Sequence, residues 1–184
     1  MNFISSKLYG PIIIEPKKIS DDRGFFSEIF RHDLLEKHLN RKISFVQENQ
    51  SFSIKGTIRG LHYQIPPYAQ AKLVRVVKGR VLDVVLDIRK SSPTFGQHIS
   101  LELSEENMRQ IYIPHGFAHG FSVISESATL NYKVDNYYSA AHERGLAFND
   151  KDLMIDWKLN SNDIICSNKD ASWPNFLEKN IFFD

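Results

Sequence analysis

Arg59, His62 and Lys72 stand in "RGLHYQIPPYAQAKLVRVV", a stretch whose other residues read as buried sheet. Ile58, Gly60, His62 and Gln64 share one strand parity, which sends Arg59 to the opposite face unless Gly60 hosts a bulge. Brought to one side of a sheet, these three supply a proton acceptor, a planar fork for phosphate and a cation for a developing oxyanion. Left at the surface, the same residues are a structural histidine and two solvated cations. Arg75, and Arg23 in "DDRGFF", carry the same pair of readings, and Gly24 permits close backbone approach there. His119 lies between two glycine-containing turns in "PHGFAHGFSV", with His115 beside it. Three histidines raise the idea of a metal site. Against it, there is no His-x-His pair and no carboxylate at metal spacing, and Lys72 would repel a divalent cation. Tyr132, Tyr137 and Tyr138 form an aromatic cluster that can pack, donate a proton or stack on a base. Cys166, the single cysteine, reads as a small buried hydrophobe. No phosphate-binding P-loop, dinucleotide glycine fingerprint or serine nucleophile elbow is present, so the chemistry open to this chain is acid–base work by side chains.

Short strands must carry these groups. In "RVLDVVLDI", Leu82, Val84, Leu86 and Ile88 share one face, and Asp83 and Asp87 share the other with Val81 and Val85. That alternation predicts a strand with one dry and one mixed face. "KLVRVV", "HISLEL", "QIYIP", "HGFSVI" and "SATLNYKVDNYY" add further strands, separated by glycine and proline turns. "RHDLLEKHLN" predicts a helix, with Leu34, Leu35, His38 and Leu39 at helical spacing after a capping Asp33. The last thirty or so residues read as turns and short helical pieces. Many short strands and few helices point to an all-β jelly-roll sandwich or barrel with short peripheral helices. Repeated mixed faces suit a barrel whose interior is partly a ligand cavity.

The length, 184 residues, fits one domain over 1–184, and no repeat or low-complexity linker divides it. A formal net charge of +1 gives no long-range pull towards nucleic acid or an acidic membrane. No apolar run nears the ~20 residues that span a bilayer. "MNFISSKLYG" lacks the pattern of a secretory signal, so a soluble cytoplasmic protein is expected.

Six segments then carry a resemblance: "DDRGFFSEIF", "FVQEN", "GTIRGLHYQIPPYAQAKLVRVVKGRVLDVVLDIRKSSPTFG", "IPHGFAHGFSV", "YKVDNYYSAAHERGLAFND" and "NKDA". In this order they span nearly the whole chain, and together they resemble the dTDP-4-dehydrorhamnose 3,5-epimerases, a cupin-fold group of nucleotide-sugar enzymes. The resemblance implies a homodimeric cupin-type jelly roll with no metal and no organic cofactor, acting on a dTDP-4-keto-6-deoxy sugar. It makes His62 the base beside the 4-keto group, Asp170 its orienting partner, Tyr132 the acid on the opposite face and Lys72 the stabiliser of the enolate oxygen. It places Arg23, Phe26, Glu28, Gln47, Asn49, Arg59, Lys72, His119, Tyr138, Glu143 and Lys169 on substrate. Tyr138 would stack on thymine, and Arg23 and Phe26 would reach the partner's site. The chain departs from the family pattern at Glu48, at Gln50, after Ser139 where a proline is usual, and at Lys158; the acid–base residues are unchanged. The competing readings are an epimerase acting at one carbon or on another nucleotide-linked 4-keto sugar, a metal-dependent cupin oxygenase, and a non-catalytic sugar-binding jelly roll. The last would be expected to lose His62, Asp170 or Tyr132.

Overall fold

In a computed structural model, which describes residues 1–178 and Phe183, thirteen strands and two short α-helices follow one another. They are β1 (Asn2–Ser5), β2 (Ile12–Glu15), β3 (Lys18–Asp21), β4 (Gly24–Ser27), α1 (His32–Leu39), β5 (Gln47–Ile54), β6 (Ile58–Gln64), β7 (Lys72–Lys78), β8 (Arg80–Asp87), β9 (His98–Ser104), β10 (Gln110–Ile113), β11 (Phe117–Val123), β12 (Ser127–Val134), β13 (Glu143–Gly145) and α2 (Asn168–Ala171). A six-stranded sheet, β1-β2-β10-β7-β12-β5, faces a five-stranded sheet, β13-β6-β11-β8-β9. Every pairing within them is antiparallel, which gives the expected jelly-roll sandwich. A separate hairpin joins β3 and β4. None of the described helices is long and apolar enough to cross a membrane.

Apolar residues are layered in three places. Val74, Val76, Val81, Val85, Phe121 and Leu130 fill the space between the sheets. Leu61, Leu86, Leu146, Phe148 and Trp157 pack the chain after β13 onto the outside of the five-stranded sheet. Leu35, Ile43, Leu73 and Tyr112 pack α1 onto the outside of the other. The sandwich is therefore covered on both outer faces. This corrects the reading of β8: Asp83 and Asp87 do share a face with Val81 and Val85, but that face is the interior and both carboxylates have no solvent exposure. Asp87 is saturated there by the Arg89 guanidinium and the Ser92 and Thr94 hydroxyls.

Three further expectations change. Asp33 lies in the first turn of α1 rather than at its cap; its carboxylate takes the Arg31 guanidinium, at 2.8 and 2.6 Å, in place of a backbone N–H. The strand through "SATLNYKV" ends at Val134, so Tyr137 and Tyr138 sit in an exposed loop; Tyr138 shares a cavity lobe with Tyr132, but among the described residues no ring contact joins them. Gly24 has open space around it, and its φ of 129°, not close approach, is what requires glycine.

The bulge on β6 is present. His119 pairs with His62 and Phe121 with Arg59, so β6 has one more residue than β11 between these pairs. Ile58, Leu61 and Tyr63 all face the outer core, which leaves Arg59 and His62 on the inner side. Gly60 makes this possible: its φ is 124°, and a Cβ there would lie 2.4 Å from Gly120 Cα. Gly60→Ala is expected to cost at least ~1–3 kcal/mol in urea unfolding. It should also lower affinity for anions in the cavity, because Arg59 and His62 would be re-aimed. An unchanged unfolding midpoint would show that the bulge tolerates a side chain.

Candidate active site

Three strands of the six-stranded sheet, β5, β7 and β12, turn polar residues into one end of the inter-sheet space. On β12 the inward residue Tyr132 pairs across with Asn49 of β5 and Val74 of β7, and Val134 pairs with Lys72. Opposite them, the five-stranded sheet contributes Arg59 and His62 from β6 and His119 from β11. A cavity of about 280 Å³ opens between these walls. A second lobe of about 300 Å³ shares His62, Lys72 and Tyr132 with it and continues outwards past Gln47, Asn49, Tyr138 and Glu143.

His62 is anchored from outside the sheet. Its Nε2 is hydrogen-bonded to Asp170 Oδ1, and the Asp170 backbone N–H donates to the Ser167 side chain that caps α2. Burial acts to raise the Asp170 carboxyl. The hydrogen bonds from His62, Ser167 and Trp173 together outweigh it and hold the group below the usual carboxylate value. The Trp173 ring stands edge-on to His62 at 6.4 Å and lies over Gly145, where a Cβ would meet the indole at 2.4 Å. With a carboxylate on one ring nitrogen, the imidazole is oriented as a base usually is.

Lys72 begins β7, and its Nζ reaches the His62 carbonyl at 3.4 Å. Burial pushes the ammonium down to about 8, against the opposing charges of Asp83 and Glu143. His119 Nε2–H donates to Asp83 Oδ2 at 2.8 Å; burial is the larger influence on the imidazole and lowers its proton affinity. Burial also raises the Tyr132 phenol, partly offset by Arg59. Arg59 is held by Ser53 Oγ at 3.0 Å and the Phe52 carbonyl at 3.3 Å. Among the described residues neither Arg59 nor Lys72 has a carboxylate within ion-pair distance. Glu143, by contrast, is committed to Lys169 and to the Tyr138 hydroxyl, 2.6 Å away, and their hydrogen bonds lower it despite its burial.

Eleven of the fourteen residues singled out in the sequence can be followed into one of two places. His62, Lys72, Tyr132, Asp170, Arg59, His119 and Lys169 line the first lobe, and Gln47, Asn49, Tyr138 and Glu143 the second. Arg23, Phe26 and Glu28 lie elsewhere. Arg23 is 89% exposed and paired with Asp21, Phe26 is 68% exposed, and Glu28 pairs with Arg31. His115 is bound to Asp135 at 2.9 Å and does not line the cavity. Among the described residues, no group of three or more His, Cys, Asp or Glu side chains could hold a metal ion. Ser51, Ser53 and Asp83 escaped the sequence reading as site residues. Gln47, Asn49, Ser51 and Ser53 recur at period two, and this polar alternation was the available signal.

The arrangement can move protons at a carbon held between the sheets. A carboxylate-anchored imidazole stands on one wall and a phenol on the other, with unpaired cations beside them for an anion. The chain is similar to known proteins over nearly its whole length. Residues 5–178 match the family model described as dTDP-4-dehydrorhamnose 3,5-epimerase. A dTDP-4-dehydrorhamnose 3,5-epimerase of Shigella flexneri is 48% identical over 99% of each chain. The crystal structure of the Elizabethkingia anophelis enzyme of that name superposes with a TM-score of 0.94 at 46% identity, covering 98% of this chain and 99% of the other. A Legionella pneumophila epimerase in complex with dTDP-4-keto-L-rhamnose gives 0.90 at 46% identity, covering 95% and 92%.

The burial of Lys72 makes a direct prediction. In the protein labelled at lysine Cε, the resonance assigned to Lys72 should titrate near 8, well below the ~10.4 of a free lysine. A midpoint with the other lysines would mean that the ammonium lies in water and not in the cavity wall.

Proposed function

The chain belongs to the dTDP-4-dehydrorhamnose 3,5-epimerase family, and we propose that its cavity converts dTDP-4-dehydro-6-deoxy-D-glucose to dTDP-4-dehydro-L-rhamnose. The observation that carries this is the placement of His62 and Tyr132 on opposite sheets across one cavity. Inversion needs a proton removed from one face of a carbon and another delivered to the other face. His62 takes the hydrogen from carbon 5 or carbon 3; the C–H bond breaks and the electron pair moves through the adjacent carbon to the 4-keto oxygen. Lys72, as an ammonium, holds that enolate oxygen. The enolate collapses as Tyr132 gives a proton to the opposite face, and the ketone re-forms. Both carbons are acidified by the same carbonyl, so one set of groups serves two inversions. Asp170 holds the imidazole in the tautomer that keeps the lone pair of the other ring nitrogen towards the sugar.

Arg59 suits the diphosphate, with its donors held by Ser53 and Phe52 and no carboxylate competing. His119 supports the sugar end. Gln47, Asn49, Tyr138 and Glu143 line the way out, with Lys169 paired to Glu143 beside them; the thymidine lies there, and the exposed Tyr138 ring is free to stack on the base. No metal or organic cofactor has a part in these steps. A cytoplasmic location suits an enzyme that works on a nucleotide sugar.

A dimer completes the reading. The β3–β4 hairpin carries Ile19, Phe25 and Phe26 into solvent, and the edge strand β5 exposes Phe52 and Ile54. A partner's hairpin laid along this edge would cover both and bring its Arg23, Phe26 and Glu28 to the nucleotide.

Proton NMR in heavy water with dTDP-4-keto-6-deoxy-D-glucose tests the activity. Both the carbon-3 and carbon-5 hydrogens should exchange, and His62→Ala should reduce both rates by ~10²–10⁴-fold. Exchange at a single carbon would make the protein a restricted epimerase, and none would remove the reading. For the dimer, inactive His62→Ala and Arg23→Ala chains mixed after unfolding should regain part of the activity; if none returns, each site is complete within one chain.

A further inference from the structure

Two aspartates face the interior from β8, and they are treated differently. Asp87 has both oxygens satisfied, by Arg89, Ser92 and Thr94. Asp83, with no solvent exposure, has Oδ2 bonded to His119 Nε2, while Oδ1 is buried with no hydrogen-bond partner among the described residues. A buried carboxylate oxygen left unpaired is rarely kept for stability alone. Asp83 does not line the cavity itself; it lies behind His119 and Lys72, which do. Lys72 has no ion pair of its own among the described residues, and Asp83 and Glu143 are the carboxylates whose charge acts on it. Glu143 is already bound to Lys169 and Tyr138.

We propose that Asp83 is a positioning residue, the buried counter-ion that holds the His119 ring and keeps the Lys72 side chain charged behind the enolate oxygen. The inference rests on the proposed role of Lys72 in epimerisation. The charged and titratable groups facing this corner are Arg59 and His62 from β6, Asp83 from β8, His119 from β11, Tyr132 from β12, Glu143 from β13, and Lys169 and Asp170 from α2. Of these, Arg59, His62, His119 and Lys169 oppose a positive Lys72, and the Asp83 carboxylate faces it without a neutralising partner beyond one histidine. Taking away that negative charge leaves burial as the dominant influence on Lys72 and lowers its proton affinity further. The ammonium is then lost at a lower pH.

Asp83→Asn keeps the shape and an oxygen for His119 but removes the charge. Activity at pH 8 should fall by about fivefold, mostly in kcat with KM little changed, as the alkaline limb of the kcat profile moves down by about one pH unit. Lowering the pH should restore most of the rate, which a merely structural defect would not do. An alkaline limb that stays in place in an active, folded variant would overturn the proposal. If Asp83→Asn does not fold, Asp83→Ser tests the same coupling at the lysine. The labelled Cε of Lys72 should then titrate at a lower pH than in the unmodified protein, and an unmoved midpoint would equally overturn the proposal. Absence of activity in the unmodified protein would instead count against the epimerase reading.

Discussion

The hydrogen bond from His62 to Asp170 is the interaction on which the site depends, because its two ends come from opposite parts of the sequence. His62 is fixed by the β6 ladder, but α2 has only four residues and is too short to persist by its own hydrogen bonds. It is retained by the Ser167 cap, by the Asp170–His62 contact and by the seat of Trp173 over Gly145. Each of these contacts also acts on His62. The carboxylate sets which ring nitrogen carries the proton, and the indole covers the ring edge. The segment after β13, which closes the outer core with Phe148 and Trp157, thus also supplies the groups that orient the base.

A second constraint is the cost of charge between two sheets. A buried cation is tolerable only where burial is balanced by carboxylates or relieved by a ligand. The protein separates these demands along the strands. On β7 the inward residues run Lys72, Val74, Val76, and on β12 they run Tyr132, Leu130, Ala128. Charge is confined to one end, and the apolar half of the same faces forms the sandwich core. The charged end is free to be polar because the other end supplies the packing.

The sequence disclosed the strands whose inward residues are apolar. β7 to β11 alternate valine, leucine, isoleucine and phenylalanine with polar residues, and a period of two is plain in them. β5 was missed because its inward residues, Gln47, Asn49, Ser51 and Ser53, are polar: they face a cavity, so the hydrophobic signal that marks a strand is absent. The parity of β8 was legible, but the covering of both faces was not, since that depends on a distant C-terminal segment. At the site, Arg59 and His62 could share a face only through a bulge, and the register across β11 supplies it. Asp170, 108 residues beyond His62, carries no local mark of its role. It was reached through family resemblance. Asp83 was visible as an aspartate on a mixed face, yet its significance depends on the missing partner for Oδ1, a property only three-dimensional packing reveals.

A chain with a formal net charge of +1 has little long-range attraction for a dianionic substrate, so selectivity for one must be local. The three carboxylates around the cavity are each engaged: Asp170 with His62, Asp83 with His119, Glu143 with Lys169 and Tyr138. Arg59 and Lys72 are left without ion-pair partners among the described residues. Their field is weakly screened inside the sandwich, whereas the many paired surface charges act across water and salt. The acids therefore act on the inner cations from a distance and form no direct ion pair with them among the described residues. They immobilise the two histidines and the outer lysine, and in doing so leave the arginine and the inner lysine to the diphosphate and the enolate.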